Sequence, residues 1–172
     1  HVLTVYTSEP NGQTDEAATN DTLTRTFSVY TLASTPVSED FESNTVPANN
    51  WGIQNVNGGT SFVRSTLAAR SGNASLEINN PNAINFNGAI DYFVSPIMMN
   101  DSKADSIFVE FDYAYQQGPQ YPGSTVFPLD TLDILATKDC GVTFTSVWKK
   151  WGYELQTVND PSFPSTSTFV PT

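Results

Sequence analysis

Asp130-Thr131-Leu132-Asp133-Ile134-Leu135-Ala136-Thr137-Lys138-Asp139-Cys140-Gly141-Val142-Thr143-Phe144-Thr145-Ser146-Val147-Trp148-Lys149-Lys150 carries the clearest signal of fold class in the chain. Two runs rich in β-branched and aromatic residues flank a tight Asp139-Cys140-Gly141 turn. That pattern predicts a β-hairpin. About twenty residues upstream, Ser106-Ile107-Phe108-Val109-Glu110-Phe111-Asp112-Tyr113-Ala114-Tyr115 reads as a long strand.

Working outward, the same vocabulary recurs. Val2 to Thr7 and Thr22 to Tyr30 alternate, the latter with Leu23, Phe27 and Val29 on one face. Further candidate strands are Val37 to Glu42, Trp51 to Val56, Ser61 to Arg64, Ala74 to Ile78, Ile90 to Val94, Thr131 to Thr137 and Thr143 to Lys149. Their spacers include Asn57-Gly58-Gly59, Ser71-Gly72-Asn73, Asn79-Asn80-Pro81-Asn82 and Pro122-Gly123, which carry turn chemistry. No long run has apolar residues at helical spacing. The expectation is an all-β chain, and short strands at this spacing suggest a β-sandwich or jelly roll. Gln116 to Leu129 is rich in Gly and Pro and reads as an exposed loop. Ala33-Ser34-Thr35-Pro36 reads as a polar linker between residues 1–32 and a second module over residues 37–172.

Composition narrows the function. The net charge is −11, from 7 Lys and Arg against 18 Asp and Glu. Nucleic-acid binding needs a basic footprint to displace counterions, so it is disfavoured. An anionic membrane surface is disfavoured on the same ground, and no apolar run is long enough to span a bilayer. The acidity reads as solubility outside the cell, with cation binding as the sharper alternative. Cys140 is the sole cysteine, so neither an internal disulfide nor a cysteine zinc site can form. His1 is the sole histidine, which leaves Cys140 without a central base for nucleophilic chemistry.

Glu39-Asp40-Phe41-Glu42-Ser43, Pro47, Trp51-Gly52-Ile53, the 106–115 strand and the 130–150 hairpin together resemble jelly-roll modules of secreted Bacteroidetes surface proteins. Those modules are relatives of the cleaved-adhesin and MAM-type sandwiches. The resemblance spans Pro36 to Pro171. Residues 1–32 resemble the last two strands of a CARDB-like immunoglobulin-type domain. The resemblance implies a non-catalytic adhesion, binding or spacer module, extracellular or on the outer-membrane surface. It also implies a larger parent protein exported by the type IX route. The partners would be a carbohydrate or protein ligand and neighbouring domains. An accessory sandwich of a secreted hydrolase is the alternative. Such modules continue with strands that close the sandwich. The chain also opens in apparent mid-strand, with no initiating Met. The expectation is therefore an incomplete jelly roll whose open edge is met by further chain or by strand addition. A fold-back of Glu154 to Val170 is the other way to close it.

Several residues could carry chemistry. Glu110 and Asp112 would share one strand face, the arrangement used in glycoside hydrolysis. Laminarinase-like jelly rolls carry a third carboxylate where this chain has Tyr115, so no catalysis is expected. Asp40 and Glu42 would flank an inward Phe41 on one strand face. The resemblance makes Glu42, with Asp40 beside it, a candidate ligand for a structural Ca²⁺. Trp51, Phe62, Phe93, Phe108, Phe111, Tyr113, Phe144 and Trp148 read as core. Tyr115, Tyr121 and Trp151, at strand ends or in loops, are the candidate exposed ligand contacts. Asp-(Ser/Thr)-apolar triplets mark Thr22, Ser106 and Thr131 as candidate O-glycosylation sites of the Bacteroidetes type.

Overall fold

Strand formers pair as expected, but in small ladders. The computed structural model describes residues 1–9, 12–13, 17–26, 31–46, 48, 50–78, 88–99, 104–117, 130–158 and 169–171. Among them the chain is all-β, with no helix of seven residues or more. Two compact units divide at Thr31 and Leu32.

The first unit holds β1 (Val2–Tyr6) and β2 (Thr22–Thr26), an antiparallel pair in register from Val2 opposite Thr26 to Tyr6 opposite Thr22. The Thr7 N–H bonds to the Asp21 carbonyl at 3.0 Å and its hydroxyl to Asp21 Oδ1 at 3.2 Å, which ties the base of the connecting loop. Val2, Leu3, Val5, Tyr6 and Leu23 are all more than half exposed, so this ribbon covers no core of its own. Phe27 and Val29 lie outside the described residues.

The second unit holds four ladders among its described residues. β3 (Leu32–Ser34) runs parallel to β8 (Ile97–Met99). β4 (Gly52–Asn55) pairs antiparallel with β7 (Asp91–Val94). β5 (Val63–Ser65) pairs antiparallel with β6 (Ser75–Glu77). β9 (Thr131–Ala136) and β10 (Thr145–Trp151) form the hairpin read from the opening stretch, with a bulge between Ser146 and Trp148.

The turn of that hairpin explains its own sequence. Cys140 and Gly141 have φ of 57° and 88°, and the Val142 N–H reaches the Asp139 carbonyl at 3.4 Å. Two positive φ values at the centre match the twist of flanking strands. Asp139 fastens the tip. Its carboxylate accepts from the Thr143 N–H at 2.8 Å, the Thr143 hydroxyl at 2.5 Å and the Thr137 hydroxyl at 2.8 Å.

Four expectations are corrected. Ala33 and Ser34 are not linker but part of β3, because their partner strand lies some sixty residues away and composition cannot announce it. Residues 37–42 form no strand, because the Glu39 and Asp40 carboxylates bond to nearby backbone N–H groups. Residues 106–115 join no ladder, since alternation supplies faces but not a neighbouring backbone. Finally, the eight aromatic residues assigned to the core are not alike. Phe93 stacks on Trp51 at 4.6 Å and lies near Phe41 and Phe62, while Trp148 meets Phe111 and Tyr113 edge-on. Phe108 and Phe144, by contrast, are 90% and 56% exposed. Phe169 and Val170 belong to no strand, and Thr168 lies outside the described residues.

Candidate functional site

Glu39-Asp40-Phe41-Glu42 fails as a strand because its carboxylates bond to its own backbone. Glu39 Oε1 accepts from the Phe41 N–H at 2.9 Å, and Asp40 Oδ1 accepts from the Glu42 N–H at 3.0 Å. Such two-residue loops compete with a ladder. Phe41 consequently takes φ of 62° and sends its ring to 5.8 Å from Phe93. Asp40 and Glu42 therefore do not flank it on a strand face.

Glu42 instead reaches the loop before β6. Its Oε1 accepts from the N–H groups of Asn73 at 2.7 Å and Ala74 at 3.1 Å, and Oε2 accepts from Asn73 Nδ2 at 3.3 Å. Arg64 on β5 donates from Nε to the Phe41 carbonyl at 2.6 Å and from Nη2 to the Glu42 carbonyl at 3.4 Å. Gly72 has φ of 68°, and a Cβ built there would collide with Glu42 Oε1. The Asn73 N–H and side-chain amide, then the Ala74 N–H and the Arg64 charge, hold the Glu42 carboxyl below the usual glutamate range.

Both Glu42 oxygens and Asp40 Oδ1 accept N–H hydrogen bonds, so a calcium ion bound here would compete with those donors. Among the described residues, no group of three or more His, Cys, Asp and Glu side chains is arranged to hold a metal.

The three ligand-contact candidates separate. Tyr115 is half-buried rather than exposed, and its hydroxyl donates to Asp130 Oδ2 at 3.0 Å. Burial first, and the Asp130 charge second, push its phenol above the usual tyrosine range. Its backbone is pinned as well, with the Thr157 N–H on the Tyr115 carbonyl at 3.0 Å and the Tyr115 N–H on Thr157 Oγ1 at 2.9 Å. Trp151 ends β10 and is 52% exposed, next to a short 3-10 turn (Gly152–Glu154) that carries Tyr153 at 64%. Tyr121 lies outside the described residues.

Glu110 and Asp112 belong to no strand, and Asp112 meets Arg70 at 3.8 Å with both side chains largely exposed. Thr22 and Thr131 are exposed first residues of β2 and β9, and Ser106 is exposed outside any strand. Sequence reasoning missed two features. Lys150 lies 5.5 Å from the ring centres of both Tyr113 and Trp148, and donates to the Tyr113 hydroxyl at 2.9 Å. Gln117 is 1% exposed, and neither amide atom has a hydrogen-bond partner among the described residues. The two-residue spacing of Trp148 and Lys150 hinted at the first feature, while no sequence signal marks the second. No family model, no curated protein and no solved structure matches the chain.

Proposed function

We propose that the chain is a non-catalytic binding, adhesion or spacer module of a larger secreted or cell-surface bacterial protein. One observation carries the binding role. An all-β scaffold holds apolar and aromatic side chains open to solvent, with Ile107, Phe108, Val109, Trp151 and Tyr153 between 52% and 90% exposed. Open apolar surface of this kind marks contact with a ligand or a neighbouring domain. Exposed aromatics two positions apart at the end of β10, Trp151 and Tyr153, offer flat faces with polar tips, suited to a carbohydrate or a protein loop. The resemblance of residues 36–171 to Bacteroidetes surface modules supplies the extracellular setting and the type IX route. The charge of −11 supports solubility there.

Retention on immobilised polysaccharides and surface proteins tests this reading. Binding that is weakened by Trp151→Ala, without release of soluble sugar, is the expected result. Turnover of a β-glucan that Glu110→Gln abolishes would overturn the non-catalytic reading.

A further inference from the structure

We propose that the backbone amides of Asn73 and Ala74, opened by Gly72, form a carboxylate-binding nest that Glu42 fills as a tethered ligand. Successive N–H groups beside a residue of positive φ make a concavity with a positive rim. Gly72 supplies that φ, at 68°, and the Asn73 and Ala74 N–H groups converge on the single atom Oε1. The Asn73 side chain adds a third donor on Oε2. An added Cβ at position 72 would also stand where the carboxylate sits, so the Glu42 side chain would have to leave the nest.

The nest is a fastening device. Glu42 lies in a segment with no ladder of its own, and the nest lies in the loop that joins β5 to β6. Arg64 closes the ring from β5 by binding the carbonyls of Phe41 and Glu42. Residues 41–42 are thereby tied to a hairpin more than twenty residues away through N–H donors. The tie uses a carboxylate as the anion and asks for no metal. Since the site recognises a carboxylate and not a particular side chain, a free one of similar size fits it once Glu42 is shortened.

Amide hydrogen exchange at Asn73 and Ala74 in the full chain tests the proposal. In Glu42→Ala, exchange at both amides is expected to quicken about tenfold or more, the scale of a lost hydrogen bond to a charged group. Sodium formate should restore slow exchange in that variant, while sodium chloride at equal ionic strength should not. Gly72→Ala should quicken the same amides and resist rescue, because the added Cβ blocks the nest. Unchanged exchange in Glu42→Ala overturns the proposal, and so does protection by Ca²⁺ with none by formate. Should Glu42→Ala fail to fold, the wild type still decides. The Asn73 and Ala74 amide shifts must then follow the titration of the Glu42 carboxyl, with Arg64, Asp40 and Glu39 as the charged groups around it. Amide shifts that ignore that titration also overturn it.

Discussion

Asp139 shows how much one exposed side chain can organise. It sits at the hairpin tip with two Thr143 donors and one Thr137 donor, and these hold its carboxyl down at about 2 against an ordinary value of 3.8. The folded value is depressed, so its contribution to the tip is complete above the ordinary value and lost as pH falls through about 2. NMR should therefore show the Thr143 amide titrating at about 2, and Asp139→Asn should abolish that transition. Tyr115 has the opposite sign. Its raised phenol keeps its proton through the range where free tyrosine ionises, so its contribution holds below the ordinary value and fades only above it. Tyr115→Phe should cost about 1 kcal/mol in chemical denaturation, since a half-buried bond to Asp130 is lost.

At the scale of elements, β9 and β10 form where local signals agree. Turn residues, β-branched flanks and a bulge all favour the same hairpin. Gly141→Ala should destabilise it by about 1 kcal/mol, because φ of 88° strains an alanine although its Cβ would meet the Phe144 ring at an ordinary 3.6 Å. Cys140→Gly should change stability by less than about 0.5 kcal/mol, since relief of strain at φ of 57° offsets the added chain entropy. Denaturation midpoints of the two variants check both. The 106–115 segment behaves as two halves. Phe111, Tyr113 and Tyr115 are engaged by Trp148, Lys150 and Asp130, whereas Phe108 stands 90% exposed. Trp148→Ala should cost about 2 kcal/mol, less than a fully buried aromatic. Phe108→Ser should cost less than about 0.5 kcal/mol in the same assay.

Across the whole molecule, the described residues keep few apolar side chains from water. Ala74, Leu155 and Pro96 are the buried ones, at 4%, 3% and under 2% exposure. Charge is then the main brake on association, and the sequence pI of about 4.1 marks where that brake releases. Light scattering should rise steeply as pH falls from 7 towards about 4.1, and Phe108→Ser should reduce the rise. Scattering that stays flat across that range would mean the open surface does not associate.

Local sequence specifies the β character, the β1–β2 and β9–β10 hairpins and most strand positions, because hydrophobic period, turn residues and propensity act over a few neighbours. Composition sets the acidity and the lack of a cysteine framework. Whether an alternating run became a strand depended on contacts with distant backbone. Leu32–Ser34 gained a partner in Ile97–Met99, while residues 106–115 joined no ladder. Tertiary structure also turned Glu42 from a neighbour of Asp40 into the occupant of a loop thirty residues on. A ladder or a nest exists when a second stretch of backbone presents its N–H groups at the right place, and that placement is not written in either stretch alone.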